Sequence, residues 1–80
     1  MNRVKYMRTK EDRIIVFSEL FDHSDFKSFD PISAGFISFG ATGKYEPNCA
    51  CYGESITLRL KANPDIDTEL AKRQILKILE

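Results

Sequence analysis

Eighty residues make one domain with a small core, because a chain of this length buries only roughly 60–65 % of the surface that its unfolded form exposes. A hydrophobic share of 42 % is too high for a disordered chain, and 12 basic against 12 acidic residues give zero net charge, unlike the basic balance of a dedicated nucleic-acid binder. No stretch approaches the roughly 18 apolar residues of a membrane span, and the charged start MNRVKYMRTK has no apolar secretion core. With two cysteines and no export signal, a cytoplasmic location and a single domain over 1–80 are expected.

RVKYMRT (3–9) alternates weakly, with Val4 and Tyr6 on one face and Lys5 and Met7 on the other. RIIVFSE (13–19) is a short β-branched apolar run and the strongest strand signal, and the charged KED between the two suits a hairpin loop. Charge is uneven here. Residues 1–13 carry Arg3, Lys5, Arg8, Lys10 and Arg13 against Glu11 and Asp12, whereas 14–31 carry Lys27 against Glu19, Asp22, Asp25 and Asp30. The two stretches can neutralise each other in the fold or on a partner.

FDHSDFKSFDP (21–31) lacks a period of two, and the three-residue spacing of Phe26 and Phe29 fits a single helical turn, capped by Asp22 or Ser24 and ended at Pro31. SAGFISFG (33–40) reads as a third strand, with Ile37 and Phe39 on one face and Phe36 on the other. ATGKYEPN (41–48) has loop composition. Its GATGK resembles a phosphate loop only superficially, because the glycine spacing is wrong and Tyr45 stands where a hydroxyl residue is needed. CACYGESITLRL (49–60) is predicted to be a long fourth strand with a kink.

NPDIDTELAKRQILKIL (63–79) has the clearest helix signature. Asn63 suits the N-cap and Pro64 the first helical position, while Asp65, Asp67 and Glu69 precede Lys72, Arg73 and Lys77 in the order that complements the macrodipole. Glu69 and Arg73 stand four apart and can pair. Ile66, Leu70, Ala71, Ile75, Ile78 and Leu79 form an apolar stripe widened by Leu76. The fold class is therefore α+β: a mostly antiparallel four-stranded sheet in the order β-β-short helical turn-β-β-α, with the C-terminal helix on one face. The second strand is apolar on both sides, so the other sheet face needs a cover: the 21–31 segment, the 41–48 loop or a second copy.

The motifs KYM, IIVFSELFDHSDF, ISAGFISFG, CYGESITLRL and NPDIDTELAKRQIL together span nearly the whole chain. They resemble a family of small uncharacterised bacterial and phage proteins. The resemblance implies a small accessory or phage-encoded role and supplies no activity, cofactor or site residue.

Three constellations carry potential chemistry. Cys49 and Cys51, one residue apart in a strand, would have Cα atoms roughly 6.5–7 Å apart with parallel side chains, a poor geometry for a disulfide. A metal would need His23 or carboxylates as further ligands, and C-x-C alone is a weak signature, so small apolar cysteines filling a strand face are favoured. Their odd parity clashes with the even parity of Ile56, Leu58 and Leu60. A bulge at Gly53-Glu54 would reconcile the two sets on one core face and leave Glu54 exposed. The alternative is no slip, with the cysteines opposite the aliphatic set.

Asp22, His23 and Asp25 offer an acid–histidine pair, but a surface turn is favoured. The basic residues Arg3, Lys5, Arg8, Lys10 and Arg13 could track phosphates, with Tyr6 and Tyr52 stacking on bases. Alternation splits that charge between two faces, so an edge strand guarded by charge is favoured. The expected function is that of a non-catalytic protein-binding or accessory module without cofactor, paired as a homodimer, with Arg3, Lys5, Arg8, Tyr52 and Glu54 as candidate binding residues. The alternatives are a thiol- or metal-dependent enzyme using Cys49, Cys51 and His23, and nucleic-acid binding through 1–13.

Overall fold

The computed structural model describes residues 4–40 and 48–79, so Arg3 and most of the GATGK loop lie outside the described residues. Strands β1 (Val4–Thr9), β2 (Ile14–Ser18), β3 (Pro31–Phe39) and β4 (Cys49–Tyr52) form one antiparallel sheet in the order β2-β1-β3-β4. A short hairpin, β5 (Glu54–Ser55) and β6 (Leu60–Lys61), follows β4 and leads into helix α1 (Pro64–Leu79). This is the expected α+β fold.

Thr9 shapes the β1–β2 turn. Its hydroxyl accepts the backbone N–H groups of Glu11 and Arg13, both at 3.3 Å, and Asp12 takes the left-handed conformation at φ 61°. Antiparallel register then sorts the side chains. Tyr6 lies opposite Val16 on one side and Gly35 on the other, and Arg8 lies opposite Ile14 and Ser33. These residues face α1 with Ile37, Cys49 and Cys51. Tyr6, Ile14, Ile37, both cysteines and Ala71 form the core there, supported by Val4, Ala62, Leu70 and Ile75.

Lys5, Phe17, Phe36 and Tyr52, which lie in register with one another, occupy the far face. The 3-10 segment His23–Phe29 packs against that face, so the 21–31 stretch provides the cover that the two-sided β2 required. Phe26 stacks on Phe17 at 4.5 Å between ring centroids, and His23 meets the Phe17 ring edge-on at 5.3 Å. Asp30, left-handed at φ 54°, turns the chain into β3, which starts at Pro31.

Three expectations need correction. First, β1 is a central strand, not a charge-guarded edge; its charged residues are accommodated by internal partners. Second, 49–60 is not one strand. Gly53, at φ 81°, ends β4, and Ile56 to Arg59 turn the chain back on itself. Glu54 is exposed, but Ile56 is 84 % exposed and Leu58 and Leu60 are only half-buried, so the aliphatic set never joins the cysteines in the core. The parity clash marks a change of direction, not a bulge within a continuing strand. Third, Ile66 and Ile78 lie exposed, outside the buried part of the helix stripe.

Helix α1 also bonds to one residue on each sheet edge. Gln74 accepts the Ile14 N–H at 2.6 Å and donates to the Ile14 carbonyl at 3.0 Å, acting as a strand substitute on the edge of β2. Thr68 accepts the Cys51 N–H at 3.0 Å on the edge of β4. Edges left open invite pairing with other chains.

Gly35 permits the close approach of the β4–β5 junction. A Cβ there would stand 2.3 Å from the Tyr52 carbonyl oxygen, a backbone atom that cannot swing aside. Gly35→Ala is expected to cost about 1–3 kcal/mol, as overpacking does. Urea unfolding measures it, and an unchanged midpoint would contradict the close approach.

Candidate binding hollow

The two thiols sit on the helix side of the sheet, both buried and free. Burial pushes the Cys51 pKa up to about 11, against the opposing pull of the Thr68 hydroxyl. Burial raises Cys49 too, partly offset by the Lys72 ammonium. Both are therefore thiols at neutral pH, and nucleophilic or metal chemistry needs the thiolate.

His23 lies on the opposite side of the sheet. It is not on the surface of a turn, as expected, but buried against Phe17, with Nε2 2.9 Å from the Gly35 carbonyl oxygen. A carbonyl can only accept, so this nitrogen carries the proton. The sheet thus separates His23 from Cys49 and Cys51. Among the described residues, no group of three or more His, Cys, Asp or Glu side chains is placed to hold a metal ion.

The basic candidates are also split. Lys5 is on the far face, where Nζ donates to the Phe21 carbonyl at 2.7 Å and stands 3.7 Å from Asp22. Arg8 is on the helix face, bonded through Nε to Asp67 at 2.6 Å and to Ser33 at 3.2 Å, and through Nη1 to Asp12 at 3.0 Å. Lys10 lies 3.8 Å from Asp30. Lys5–Asp22 and Lys10–Asp30 thus join the basic and acidic stretches within the chain. The i,i+4 pair Glu69–Arg73 is present at 4.0 Å on exposed side chains, where such a contact contributes little.

The residue that sequence reasoning missed is Asp67. Its position in the first helical turn suggested only a charge that complements the macrodipole, and the side chain is fully buried. One oxygen takes the Arg8 Nε–H; the other accepts the Tyr6 hydroxyl, the Ser33 hydroxyl at 2.8 Å and the Asn63 backbone N–H at 2.9 Å. Tyr6 is fully buried as well, and burial together with the Asp67 bond lifts its phenol far above the ordinary range. The available signal was the even parity of Tyr6 and Arg8, which puts a phenol and a guanidinium on one strand face where a helix must dock.

On the far face, Lys5, Tyr52 and Glu54 come together with Asp22, His23, Phe36 and the 55–57 turn around an open hollow of about 510 Å³. That volume is in the range of ligand pockets. Phe36 and Tyr52 stack at 5.9 Å and 28° to form its aromatic floor. Three of the five candidate binding residues thus share one site, while Arg8 is committed to Asp67 on the other face.

Thiol reagents test the burial of the cysteines. At pH 7.5 both should react at least about a hundredfold more slowly in the folded protein than in urea, since access needs opening of the domain. A fast native thiol would contradict the placement. Folding also holds the Cys51 proton more tightly than the unfolded chain does. Its contribution is therefore fully present below the ordinary thiol value of 9.0 and is lost as pH rises toward about 11. Comparison with known proteins finds no matching family model, no matching curated protein and no matching solved structure.

Proposed function

We propose that this chain is a non-catalytic, cytoplasmic protein-binding module whose partner docks at the hollow beside the β5–β6 hairpin. The observation that carries this reading is the division of labour between the two faces. On the helix side, the polar side chains with catalytic potential are consumed by one another: Asp67 holds four donors and the thiols stay protonated. On the far side, an aromatic floor, an exposed carboxylate and an exposed Ile56 surround an accessible hollow. Exposed aromatic and apolar side chains next to polar groups are the usual makings of a binding surface. The cytoplasmic assignment rests on a cysteine content of two in eighty residues and a small core built without a disulfide staple, which suits a reducing compartment.

A second copy is the reading favoured by a different feature. Val16 (44 % exposed), Phe39 (42 %) and Ile78 (81 %) rim an apolar groove of about 210 Å³ between α1 and the sheet. Such a dimer would pair through this groove.

Affinity capture from the host separates the two surfaces. Ile56→Asp, at the exposed turn, should abolish recovery of the partner while leaving the unfolding midpoint unchanged. Ile78→Lys should lower the mass seen by sedimentation and leave capture intact. Identical captured proteins with wild type and Ile56→Asp would overturn the hollow as the docking site.

A further inference from the structure

We propose that the hollow receives a cationic side chain, an arginine or lysine, presented by a polypeptide partner; this rests on the hollow being the docking site. The inference comes from which of its charges are already spent. Lys5 is tied to the Phe21 carbonyl at 2.7 Å and neutralised by Asp22 at 3.7 Å, with its side chain only 16 % exposed. The Nε2–H of His23 donates a hydrogen bond to the Gly35 carbonyl. Glu54 is exposed and, among the described residues, has no ion-pair or hydrogen-bond partner beyond the β5–β6 ladder. Lys61 stands opposite Glu54 in that ladder without an ion pair between them, so Glu54 is the carboxylate of the hollow's lining that remains without an ion-pair partner among the described residues.

That carboxylate stands two residues from Tyr52, across the turn made by Gly53 at φ 81°. Tyr52 is 36 % exposed and backed by the Phe36 ring. A π-face beside a carboxylate is complementary to a guanidinium or ammonium group, which gains cation–π attraction from one and a charged hydrogen bond from the other. Exposed Ile56 adds apolar surface suited to the aliphatic stem of such a side chain. Arginine fits better than lysine, since its planar head can stack on Tyr52 while its fork reaches Glu54. An anionic side chain would meet Glu54 and find Lys5 already occupied.

Amide NMR titration with three blocked tripeptides, Gly-Arg-Gly, Gly-citrulline-Gly and Gly-Glu-Gly, tests this directly. The arginine peptide should shift the amides of Phe36 and of residues 52–57, with at least about fivefold tighter binding than citrulline, which keeps the shape without the charge. Glu54→Gln should erase that advantage, and Tyr52→Leu should weaken arginine binding about threefold or more while the spectrum remains folded. Preferential shifts by the glutamate peptide at the same amides would overturn the cationic assignment and leave the hollow as a binding site. If none of the peptides shifts these amides, both the cationic assignment and the hollow as docking site are overturned.

Discussion

The architecture depends on one buried carboxylate. Asp67 has no exposed surface, and taking such a group out of water is costly unless its oxygens are fully bonded. Here the donors come from three places: Tyr6 and Arg8 on β1, Ser33 on β3, and the Asn63 backbone at the start of α1. The same interaction therefore fixes the helix start, its height above the sheet and its position over the β1–β3 pair. A domain of this size has roughly 4–12 kcal/mol of total stability, and breaking a buried ion pair by removing one partner typically costs about 3–5 kcal/mol. One interaction is thus comparable to a large share of the whole.

Once the helix start is pinned, the remainder of α1 follows as a rigid rod. Thr68, one residue after Asp67, reaches the edge of β4, and Gln74, six residues further on, reaches the edge of β2. The rod crosses the sheet and bonds to one residue on each edge. The open hollow lies on the other face, beside the 3-10 segment, and a shallow apolar groove lies at the C-terminal half of the helix. The binding reading is in that sense a consequence of where the polar side chains of the core were spent.

Much of the fold was legible because it rests on local patterns. Alternation placed Val4 and Tyr6 on one face, the Asn63-Pro64 start placed the helix, and the apolar character of both sides of β2 required a second cover, which Phe26 and His23 provide. Misreadings arose where tertiary partners override composition. Charges on β1 looked like edge protection, yet Arg8 is held from below by a carboxylate 59 residues away in sequence. The helical aspartates looked alike, but only Asp67 falls on the face over Tyr6. Gly53 was recognised as a break, while the return of the chain after Ser55 depends on a turn at Ile56 to Arg59 whose residues carry no strong turn signal. The hollow was half legible: Lys5, Tyr52 and Glu54 were candidates separately, and only the hairpin's direction brings them together.

A double-mutant cycle between Tyr6 and Asp67 tests the central claim most directly. Urea unfolding of Tyr6→Phe, Asp67→Asn and the double variant gives the coupling between phenol and carboxylate. Because the Tyr6 hydroxyl donates to a buried carboxylate, the account predicts a coupling of at least about 1 kcal/mol, with the double variant losing clearly less than the sum of the single losses. Additive losses, or an Asp67→Asn variant as stable as wild type, would contradict the claim that this carboxylate holds the helix to the sheet.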